Sequence, residues 1–199
     1  LLKLLDKHRK NNGEYDCIVP GSGGKDSCYQ SYLLKYKYGM NPLTVTWQPT
    51  LYTTYGYENF KNWLKFQKLT NIKSDRSEEI LRKLSKLSLV NLLHPFQTFI
   101  LGQKNFPLKV ALKHKIPLIF YGENEAEHGN SLAENNNSLR DKSQFTYNNI
   151  DKLYIGGIPL SELKEKHSIS LKDLVDYLPP TEDEIQSSRL EVHYLGYYI

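Results

Sequence analysis

The fold of this chain is decided by one stretch, Cys17-Ile18-Val19-Pro20-Gly21-Ser22-Gly23-Gly24-Lys25-Asp26-Ser27, in which a short apolar run meets a glycine-rich loop. A second apolar pattern follows at helical spacing until Gly39 ends it, and its members are Cys28, Tyr29, Tyr32, Leu33 and Tyr36. The stretch therefore predicts a strand, a loop and a helix in direct succession.

The loop has the chemistry of a phosphate-binding site. Gly23 and Gly24 remove side chains where the backbone must turn, so the backbone N–H groups can approach a ligand. Ser22 and Ser27 add hydroxyl groups, Lys25 adds a positive charge, and the start of the next helix offers unpaired N–H groups. The alternative is an ordinary glycine-rich turn that caps a helix, but so many phosphate-compatible residues favour the phosphate site.

The spacing of the loop differs from that of two common phosphate loops. A Walker loop needs four residues between its first glycine and a Gly-Lys-Ser/Thr triplet, and a dinucleotide loop reads GxGxxG; this loop matches neither. Residues 22–27 instead resemble the SGGxDS signature of the PP-loop ATP pyrophosphatases. In that superfamily the loop holds the departing pyrophosphate while a substrate oxygen attacks the α-phosphorus of ATP.

This resemblance implies ATP and Mg²⁺ as ligands. It implies that phosphate oxygens are bound by Ser22, Gly23, Gly24 and Ser27, and that Asp26 is a magnesium ligand. Lys25 would contribute its charge to the same ATP site.

Length and composition are those of one α/β domain. The 199 residues carry a net charge of +4, spread over many lysines, which is compatible with anionic ligands such as ATP and does not establish nucleic-acid binding. Cys17 and Cys28 form no CxxC pair and are interpreted as core residues of a reduced, cytoplasmic protein. No apolar run approaches about 18 residues and no signal-peptide pattern is present, so no membrane partner is expected.

Three regions are expected along the chain. Residues 1–14 form an N-terminal helix, residues 15–160 form the PP-loop ATP pyrophosphatase domain, and residues 161–199 form a C-terminal helical segment. The chain begins on Leu1 without Met and stops at Ile199, so we expect both outer regions to belong to something longer.

Strand and helix patterns alternate through the central region. This alternation predicts an α/β fold with a doubly wound, mostly parallel sheet and helices on both faces. After the first strand, further strands are predicted at residues 43–47, weakly at 70–73, and at 116–121, where the apolar run is clearest.

Capping patterns and composition predict the remaining elements. Asp75-x-x-Glu78 resembles a capping box for a helix over residues 80–91, and Thr181-x-x-Glu184 predicts another helix near the end. Residues 130–150 are rich in Asn and Ser and predict a mobile surface loop with no core-forming pattern.

The residues that follow the strands are candidates for the rest of the site, because open parallel sheets bind ligands outside the carboxyl ends of their strands. Trp47, Gln48 and Pro49 are candidates for the adenine side, with a core role for Trp47 as an equal alternative. Residues 94–107 interleave aromatic side chains with Gln, Lys and His. They suit a sugar or a base, although buried aromatics beside a polar turn explain the pattern equally well.

An acidic element follows the strand at 116–121, and it reads Gly122-Glu123-Asn124-Glu125-Ala126-Glu127-His128-Gly129. Its three carboxylates repel each other unless a cation lies near, and an oxygen-rich set suits Mg²⁺ better than zinc. Gly122 and Glu127 have the spacing of a Gly-x-x-x-x-Asp/Glu element found in many PP-loop enzymes. That likeness implies that Glu127 binds Mg²⁺ with Asp26; a solvated acidic loop is the alternative.

A more specific resemblance covers most of residues 1–160. Four segments carry it: Asp16-Cys17-Ile18-Val19-Pro20 before SGGKDS, Tyr38-Gly39-Met40-Asn41-Pro42-Leu43-Thr44-Val45-Thr46-Trp47, Pro95-Phe96-Gln97 with Gly102-Gln103-Lys104, and Tyr121-Gly122-Glu123-Asn124. Together these segments resemble the N-acetyl sugar amidotransferases of bacterial surface polysaccharide and flagellar glycan synthesis.

The resemblance implies an ATP-dependent reaction at an acetamido group. Adenylylation of the acetamido oxygen would let ammonia displace AMP and give an acetamidino sugar, so no Ser, Cys or His nucleophile is required. Lys25, Asp26 and Lys104 would act as catalytic charges. The residues implied in holding the sugar are Gln97, Gln103, Tyr121, Glu123 and Asn124.

The same resemblance implies the partners. The substrate would be a small acetamido sugar or its nucleotide, and ammonia would come from a separate protein resembling a glutaminase and cyclase pair. No glutaminase motif with a Cys nucleophile is evident in the sequence, in agreement with an external source. Full-length relatives carry a cysteine-rich metal-binding stretch before this region, so structural zinc is expected only in that missing N-terminal segment.

Two rival interpretations remain open. A tRNA-modifying PP-loop enzyme, either a thiolase or a lysidine-type ligase, would use SGGKDS equally well. Thiolases usually need a further CxxC, and a tRNA binder should show a stronger basic face, so nucleic acid is disfavoured as a partner. A non-enzymatic ATP-binding module shares the architecture but would not need the acidic residues 123–127.

Overall fold

The structure, a computed structural model, describes residues 1–122 and 137–199 and has a five-stranded parallel sheet at its centre. The strands of this sheet lie in the order β3-β2-β1-β4-β7. Their bounds are β1 (Cys17–Pro20), β2 (Pro42–Thr46), β3 (Asn71–Lys73), β4 (Leu118–Tyr121) and β7 (Glu191–Tyr194). Two more strands, β5 (Tyr154–Ile155) and β6 (Ile158–Pro159), form a separate antiparallel hairpin.

Eight α-helices accompany these strands in the described residues. They are α1 (Leu2–His8), α2 (Lys25–Tyr32), α3 (Thr54–Gln67), α4 (Glu78–Leu92), α5 (Gln97–His114), α6 (Leu160–His167), α7 (Leu171–Leu174) and α8 (Glu182–Ser188). A π-helical turn over Leu33–Lys37 continues α2, and short 3₁₀ turns span Lys142–Gln144, Ile150–Lys152 and Leu195–Tyr197.

Helices cover both faces of the sheet, because successive side chains of a strand point to opposite faces. Cys17 and Val19 of β1 pack with residues of α1, the α2 segment and α3, such as Leu5, Leu34 and Phe60. Ile18 faces the other side, where the core comes from α4, α5 and the C-terminal helices. The doubly wound α/β fold predicted from the sequence is confirmed.

The position of β1 in the sheet indicates where a ligand would bind. β1 pairs with β2 on one side and with β4 on the other, so the order of strands reverses beside it. Ligands of open parallel sheets bind at such a switch point, outside the carboxyl ends of the strands. The edge where β1, β2 and β4 end is called the carboxyl edge below.

The apolar pattern that predicted α2 is only partly buried. The tyrosines that recur at helical spacing, Tyr29, Tyr32 and Tyr36, are at least half exposed, whereas Gln30 and Ser31 are buried. The polar residues turn inward because they have partners there: the Ser31 hydroxyl accepts a hydrogen bond from Trp63 Nε1 at 2.8 Å. Of the pattern that predicted this helix, Leu33 is buried and Cys28 packs against the core, whereas the three tyrosines lie outside.

Two other helices begin and extend differently from the prediction. Ser77, not Asp75, caps α4, because its side chain accepts a hydrogen bond from the Ile80 amide. α5 is one helix of 18 residues that contains Pro107, and it includes most of residues 94–107, for which the sequence indicated aromatic side chains beside a polar turn. The predicted capping box of Thr181 and Glu184 is confirmed at the start of α8.

The C-terminal part of the chain contributes a strand to the sheet, which the sequence did not indicate. Residues 161–199 read as a helical segment, but they also supply β7, which pairs in parallel with β4. Phe145 lies in the same core at 3% exposure, although residues 130–150 read as a surface loop without a core pattern. A single aromatic residue among polar neighbours is too weak a signal for burial.

No helix in the described parts of the chain combines the length and the apolar character needed to cross a bilayer.

A buried carboxylate joins the N-terminal segment to the sheet. Asp16, which precedes β1, is 4% exposed. Its two oxygens accept hydrogen bonds from the Lys10 amide at 2.7 Å and from the Asn41 amide at 2.8 Å. Asp16 thus fixes the chain before β1 and the chain before β2 at the same place.

We expect Asp16→Ala to lower the free energy of unfolding by about 3 kcal/mol, because it removes both acceptors from two amides that water reaches poorly. Asp16→Asn keeps one acceptor oxygen and should lose about half as much. Urea denaturation followed by circular dichroism measures both. Asp6→Ala, at a side chain that is 71% exposed, is the control and should change little. An unchanged midpoint for Asp16→Ala would contradict the assigned role.

A second polar cluster joins α1 to β7. The Glu191 carboxylate pairs with Lys7 and with His8 Nε2 at 3.2 Å, and His193 Nε2 lies 3.6 Å from it. Burial acts to raise the pKa of Glu191, but the hydrogen bonds from Lys7 and His8 outweigh it and leave this pKa below 4.5. Burial lowers the pKa of His193 below 6.5, although Glu191 acts in the opposite direction.

Acid should therefore destabilise the protein in two steps. Below pH 6.5 His193 binds a proton more readily in the unfolded chain than in the folded protein, so the free energy of unfolding falls. At lower pH the stabilisation from the Glu191 carboxylate is lost as the pH falls through its lowered folded-state pKa. We expect the urea midpoint to fall from pH 7 towards pH 4, and His193→Gln to remove much of the fall above about pH 5. An equal slope in the variant and the parent over that range would contradict the role of His193.

Candidate functional site

The loop between β1 and α2 is held at its first glycine. The Gly21 amide donates to the Val45 carbonyl at 2.9 Å, and the Thr46 hydroxyl donates to the Gly21 carbonyl at 2.6 Å, so the loop leaves β1 bound to the end of β2. A methyl group on Gly21 would lie 2.3 Å from Ser27 Cβ. The loop therefore folds back against the start of α2.

Gly23 and Gly24 differ in backbone conformation and in the space around them. Gly23 has φ +86°, and a methyl group there would lie 2.6 Å from the Cα atom of Phe60 in α3. Gly24 has an ordinary φ of −73°, and a methyl group there would meet nothing within 4 Å. Gly23 thus lets the loop lie against α3, whereas Gly24 leaves space at the start of α2.

The start of α2 is suited to an anion. Gly24 is the N-cap residue and has no side chain that could cap the helix. The Ser27 hydroxyl donates to the Gly24 carbonyl at 3.1 Å and is mostly buried. The first-turn amides of a helix favour a negatively charged ligand, since their N–H groups and the helix dipole carry partial positive charge.

These residues line a cavity of about 390 Å³ at the carboxyl edge. Pockets of this size hold small-molecule ligands. Three strand ends, the loop, the start of α2 and one face of α5 form its wall. The lining residues are Pro20, Gly21, Ser22, Gly24, Asp26, Ser27, Val45, Trp47, Pro49, Phe99, Gln103, Pro107, Tyr121 and Gly122.

The cavity has one polar side and one apolar side. Ser22, Asp26 and Ser27 lie on the loop and α2, while Trp47 and Phe99 belong to the apolar side. An anionic group and a planar apolar ring could therefore bind at the same time.

Lys25 and Asp26 form an ion pair beside the cavity. Lys25 Nζ lies 2.7 Å from Asp26 Oδ1, and the Lys25 side chain is 89% exposed whereas that of Asp26 is 43% exposed. Asp26 lines the cavity and Lys25 does not. A bound polyphosphate would compete with Asp26 for the Lys25 ammonium group, because the lysine stem is long and exposed.

Trp47 is both a core residue and part of the cavity wall. It is 5% exposed, its ring meets Tyr177 edge-on at 5.0 Å, and the Arg76 guanidinium lies over it at 5.4 Å. A methyl group on Gly102 would lie 2.1 Å from the indole, so α5 approaches Trp47 closely only because Gly102 has no side chain. The two alternatives for Trp47 are thus not exclusive.

Helical spacing decides which α5 residues reach the cavity. Phe99, Gln103 and Pro107 are four residues apart, share one face, and line it. Pro107 has no N–H group and cannot donate the helical hydrogen bond to the Gln103 carbonyl. Phe99 and Pro107 were not singled out from the sequence, because their shared face is evident only when α5 is treated as one helix.

Two predicted site residues of α5 lie elsewhere. The Gln97 side chain accepts a hydrogen bond from the Gly156 amide at 3.1 Å and supports the β5–β6 hairpin. Lys104 lines a different cavity of about 150 Å³, together with Arg140 and Tyr154. Neither residue lines the main cavity, since both are out of helical register with Gln103.

The other predicted site residues divide into two groups. The structure brings together Ser22, Gly24, Asp26, Ser27, Trp47, Gln103 and Tyr121 around the cavity, with Gly23 behind the loop. Glu123, Asn124 and Glu127 lie outside the described residues, and their roles remain predictions.

The end of β4 closes one side of the cavity. A methyl group on Gly122 would lie 2.9 Å from Gln30 Oε1 and 3.2 Å from Asp26 Cβ, so β4 ends against the start of α2. The Tyr121 hydroxyl donates to the Lys104 carbonyl at 3.2 Å and thereby connects β4 with α5.

The donor set of the cavity is compatible with Mg²⁺ held partly by a phosphate ligand. Within residues 1–122 and 137–199, no three His, Cys, Asp or Glu side chains form a group that could hold a metal ion. Asp26 is the one carboxylate among the described residues that line the cavity. Mg²⁺ commonly binds through one or two carboxylates plus substrate phosphates, so Asp26 alone fits if a polyphosphate supplies further oxygens.

Comparisons with known proteins assign neither a family nor a function to this chain. No protein-family model matches the chain. A segment of 43 residues is 46% identical to an uncharacterized protein of Methanocaldococcus jannaschii, and the match covers 22% of this chain and 16% of that protein. A predicted subunit of tRNA methyltransferase from the same organism shares 16% identity at a TM-score of 0.36, over 83% of this chain and 66% of its own. These values carry no functional argument, and the class stated here, a doubly wound α/β protein with a cavity at its carboxyl edge, follows from the architecture.

Substitution by alanine should lower the free energy of unfolding more at Gly23 than at Gly24. We expect Gly23→Ala to lower the free energy of unfolding by at least about 2 kcal/mol, since it combines a left-handed backbone with contact against Phe60. Gly24→Ala should cost less than about 1 kcal/mol, as it replaces only an N-cap glycine. Chemical denaturation of the two variants tests this, and equal losses would contradict the assigned geometry.

Proposed function

We propose that this protein is an ATP-dependent amidotransferase that adenylylates the acetamido oxygen of an N-acetyl sugar and replaces that oxygen with ammonia, releasing pyrophosphate and AMP. One observation carries the proposal: the cavity combines the SGGKDS loop and an uncapped helix start with an apolar wall at the switch point of the sheet. The resemblance of the loop to the PP-loop ATP pyrophosphatases supports ATP as the ligand.

ATP would bind with its polyphosphate on the loop and its adenine on the apolar side. The helix start, Ser22 and Ser27 offer donors to phosphate oxygens, and Lys25 supplies a positive charge. Trp47, Pro49 and Phe99 lie on the opposite wall, where a planar base would be shielded from water. Mg²⁺, held by Asp26 and as a prediction by Glu127, would neutralise the polyphosphate.

The protein would act by positioning and by charge neutralisation. The acetamido oxygen forms a bond to the α-phosphorus of ATP, and the bond from that phosphorus to the bridging oxygen breaks as pyrophosphate leaves. Ammonia then adds to the acetamido carbon, the carbon–oxygen bond breaks with departure of AMP, and the lost protons pass to solvent. Gln103 and Tyr121 are the described residues best placed to orient the sugar, because both line the cavity and carry polar groups that do not belong to the loop.

The two cysteines are poor candidates for a covalent step. Burial raises the pKa of the Cys17 thiol far above its usual range, with Asp16 adding to the effect, and burial also raises the pKa of Cys28. A raised pKa disfavours the nucleophilic thiolate. This supports a reaction in which the substrate oxygen is the nucleophile and ammonia comes from elsewhere, and it weighs against the thiolase alternative.

The direct test measures pyrophosphate release from ATP in the presence of Mg²⁺ and an ammonium salt. A panel of acetamido sugars and sugar nucleotides is compared with bulk tRNA. We expect release that depends on one acetamido sugar, and mass spectrometry should show a product in which an NH group has replaced one oxygen of the substrate. Release that depends on tRNA alone would favour a tRNA-modifying enzyme, and ATP binding without release under any condition would favour a nucleotide-binding module.

We expect Asp26→Asn to reduce sugar-dependent pyrophosphate release at least about a hundredfold, because the substitution removes a charge with little change of shape. Thermal unfolding should stay near that of the parent, since the Asp26 side chain is 43% exposed. Asp6→Asn, on the exposed side of α1, is the matched control and should leave turnover unchanged. Turnover that survives in Asp26→Asn would remove this residue from the mechanism.

A further inference from the structure

The outer side of α2 and α3 carries a set of exposed aromatic and basic side chains that the fold does not require. We call it the tyrosine–lysine face, and it consists of Tyr29, Tyr32, Tyr36, Lys65, Phe66 and Lys68. The exposed fractions of its four aromatic residues are 59%, 52%, 50% and 72% in chain order. α2 directs polar residues into the core and these tyrosines outward, so burial does not account for them.

Direct contacts make the two helices one surface. The Gln67 side-chain amide donates to the Cys28 carbonyl at 2.8 Å, and the Tyr36 hydroxyl donates to the Gln67 carbonyl at 3.0 Å. The rings of Tyr32 and Tyr36 lie 5.4 Å apart. Aromatic rings on α2 thus stand beside the basic end of α3.

The two chain segments that carry the face are basic. Residues 25–37 and 54–68 contain six lysines against Asp26 and Glu58, an excess that equals the net charge of +4 of the whole chain. These two segments contain no arginine. Of these lysines, Lys65 and Lys68 are exposed at the end of α3 and just after it.

A groove beside this face is lined in part by the loop of the candidate site. A depression of about 270 Å³ between α2 and α3 is lined by residues that include Gly23, Asn59, Asn62 and Phe66. Gly23 lines this depression, and its neighbours Ser22 and Gly24 line the main cavity. A chain bound on the tyrosine–lysine face would therefore pass close to the loop.

We propose that the tyrosine–lysine face is a docking surface for single-stranded nucleic acid. Unpaired bases stack on aromatic side chains, and lysines contact the phosphates without reading the sequence. A protein partner fits less well, since lysine is depleted in protein–protein interfaces, and a duplex keeps its bases from stacking on side chains. The inference goes beyond the proposed amidotransferase reaction and does not depend on it, because docking needs neither ATP nor a sugar.

Fluorescence anisotropy with labelled oligo(U) and oligo(dT) of about 12 nucleotides tests the proposal. We expect saturable binding that weakens as salt rises from about 50 to about 200 mM. The double variant Lys65→Gln with Lys68→Gln should lower the slope of log affinity against log salt by about 1.4, from two lost phosphate contacts. Lys86→Gln with Lys164→Gln, on α4 and α6 at the other face of the sheet, is the matched control and should keep the parental slope.

The aromatic contribution is tested separately. Tyr32→Ala and Phe66→Ala should each weaken binding at least about fivefold, whereas Tyr32→Phe keeps the ring and should retain parental affinity. Circular dichroism checks that these exposed substitutions leave the fold unchanged.

Any of four results would overturn the proposal: no saturable binding at the lowest salt, equal affinity for duplex competitor, affinity that no variant of the face changes, or a dimer in ultracentrifugation that Phe66→Ala dissociates. Comparison of the oligo(U) and oligo(dT) affinities shows whether RNA or DNA is preferred.

Discussion

The structure depends on the absence of side-chain volume at Gly21 and Gly23. Any Cβ atom at Gly21 would meet Ser27, and any at Gly23 would meet the backbone of α3 at Phe60. Because neither is present, the loop after β1 lies between α2 and α3 and delivers the start of α2 to the carboxyl edge. The cavity, its polar side and the groove behind Gly23 all follow from this close approach.

Two other glycines allow close contacts that shape the rest of the cavity wall. Gly102 lets α5 lie against Trp47, and Gly122 lets β4 end against Asp26 and Gln30. Each contact fixes one element at the point where three parallel strands end. A polar loop and an apolar wall therefore face each other across a space suited to a molecule with an anionic end and a planar end.

α2 buries polar side chains and exposes tyrosines, and this arrangement affects both its packing and the surface of the protein. Ser31 accepts a hydrogen bond from Trp63 and donates to Gln67 at 2.7 Å, so the junction of α2 and α3 is polar and specific. Since the inner side is satisfied by hydrogen bonds, the tyrosines of α2 remain outside beside the lysines of α3.

The sequence by itself determined the parallel α/β class, the strand–loop–helix unit at residues 17–37, and the glycine and hydroxyl residues of the loop, because these depend on local pattern and spacing. Tertiary structure alone decided that Gln103 lines the cavity while Gln97 and Lys104 do not, since that depends on α5 being one continuous helix. It also decided which side of α2 is buried and that β7 completes the sheet. Such features arise from contacts between residues far apart in the chain, for which periodicity along a single segment contains no information.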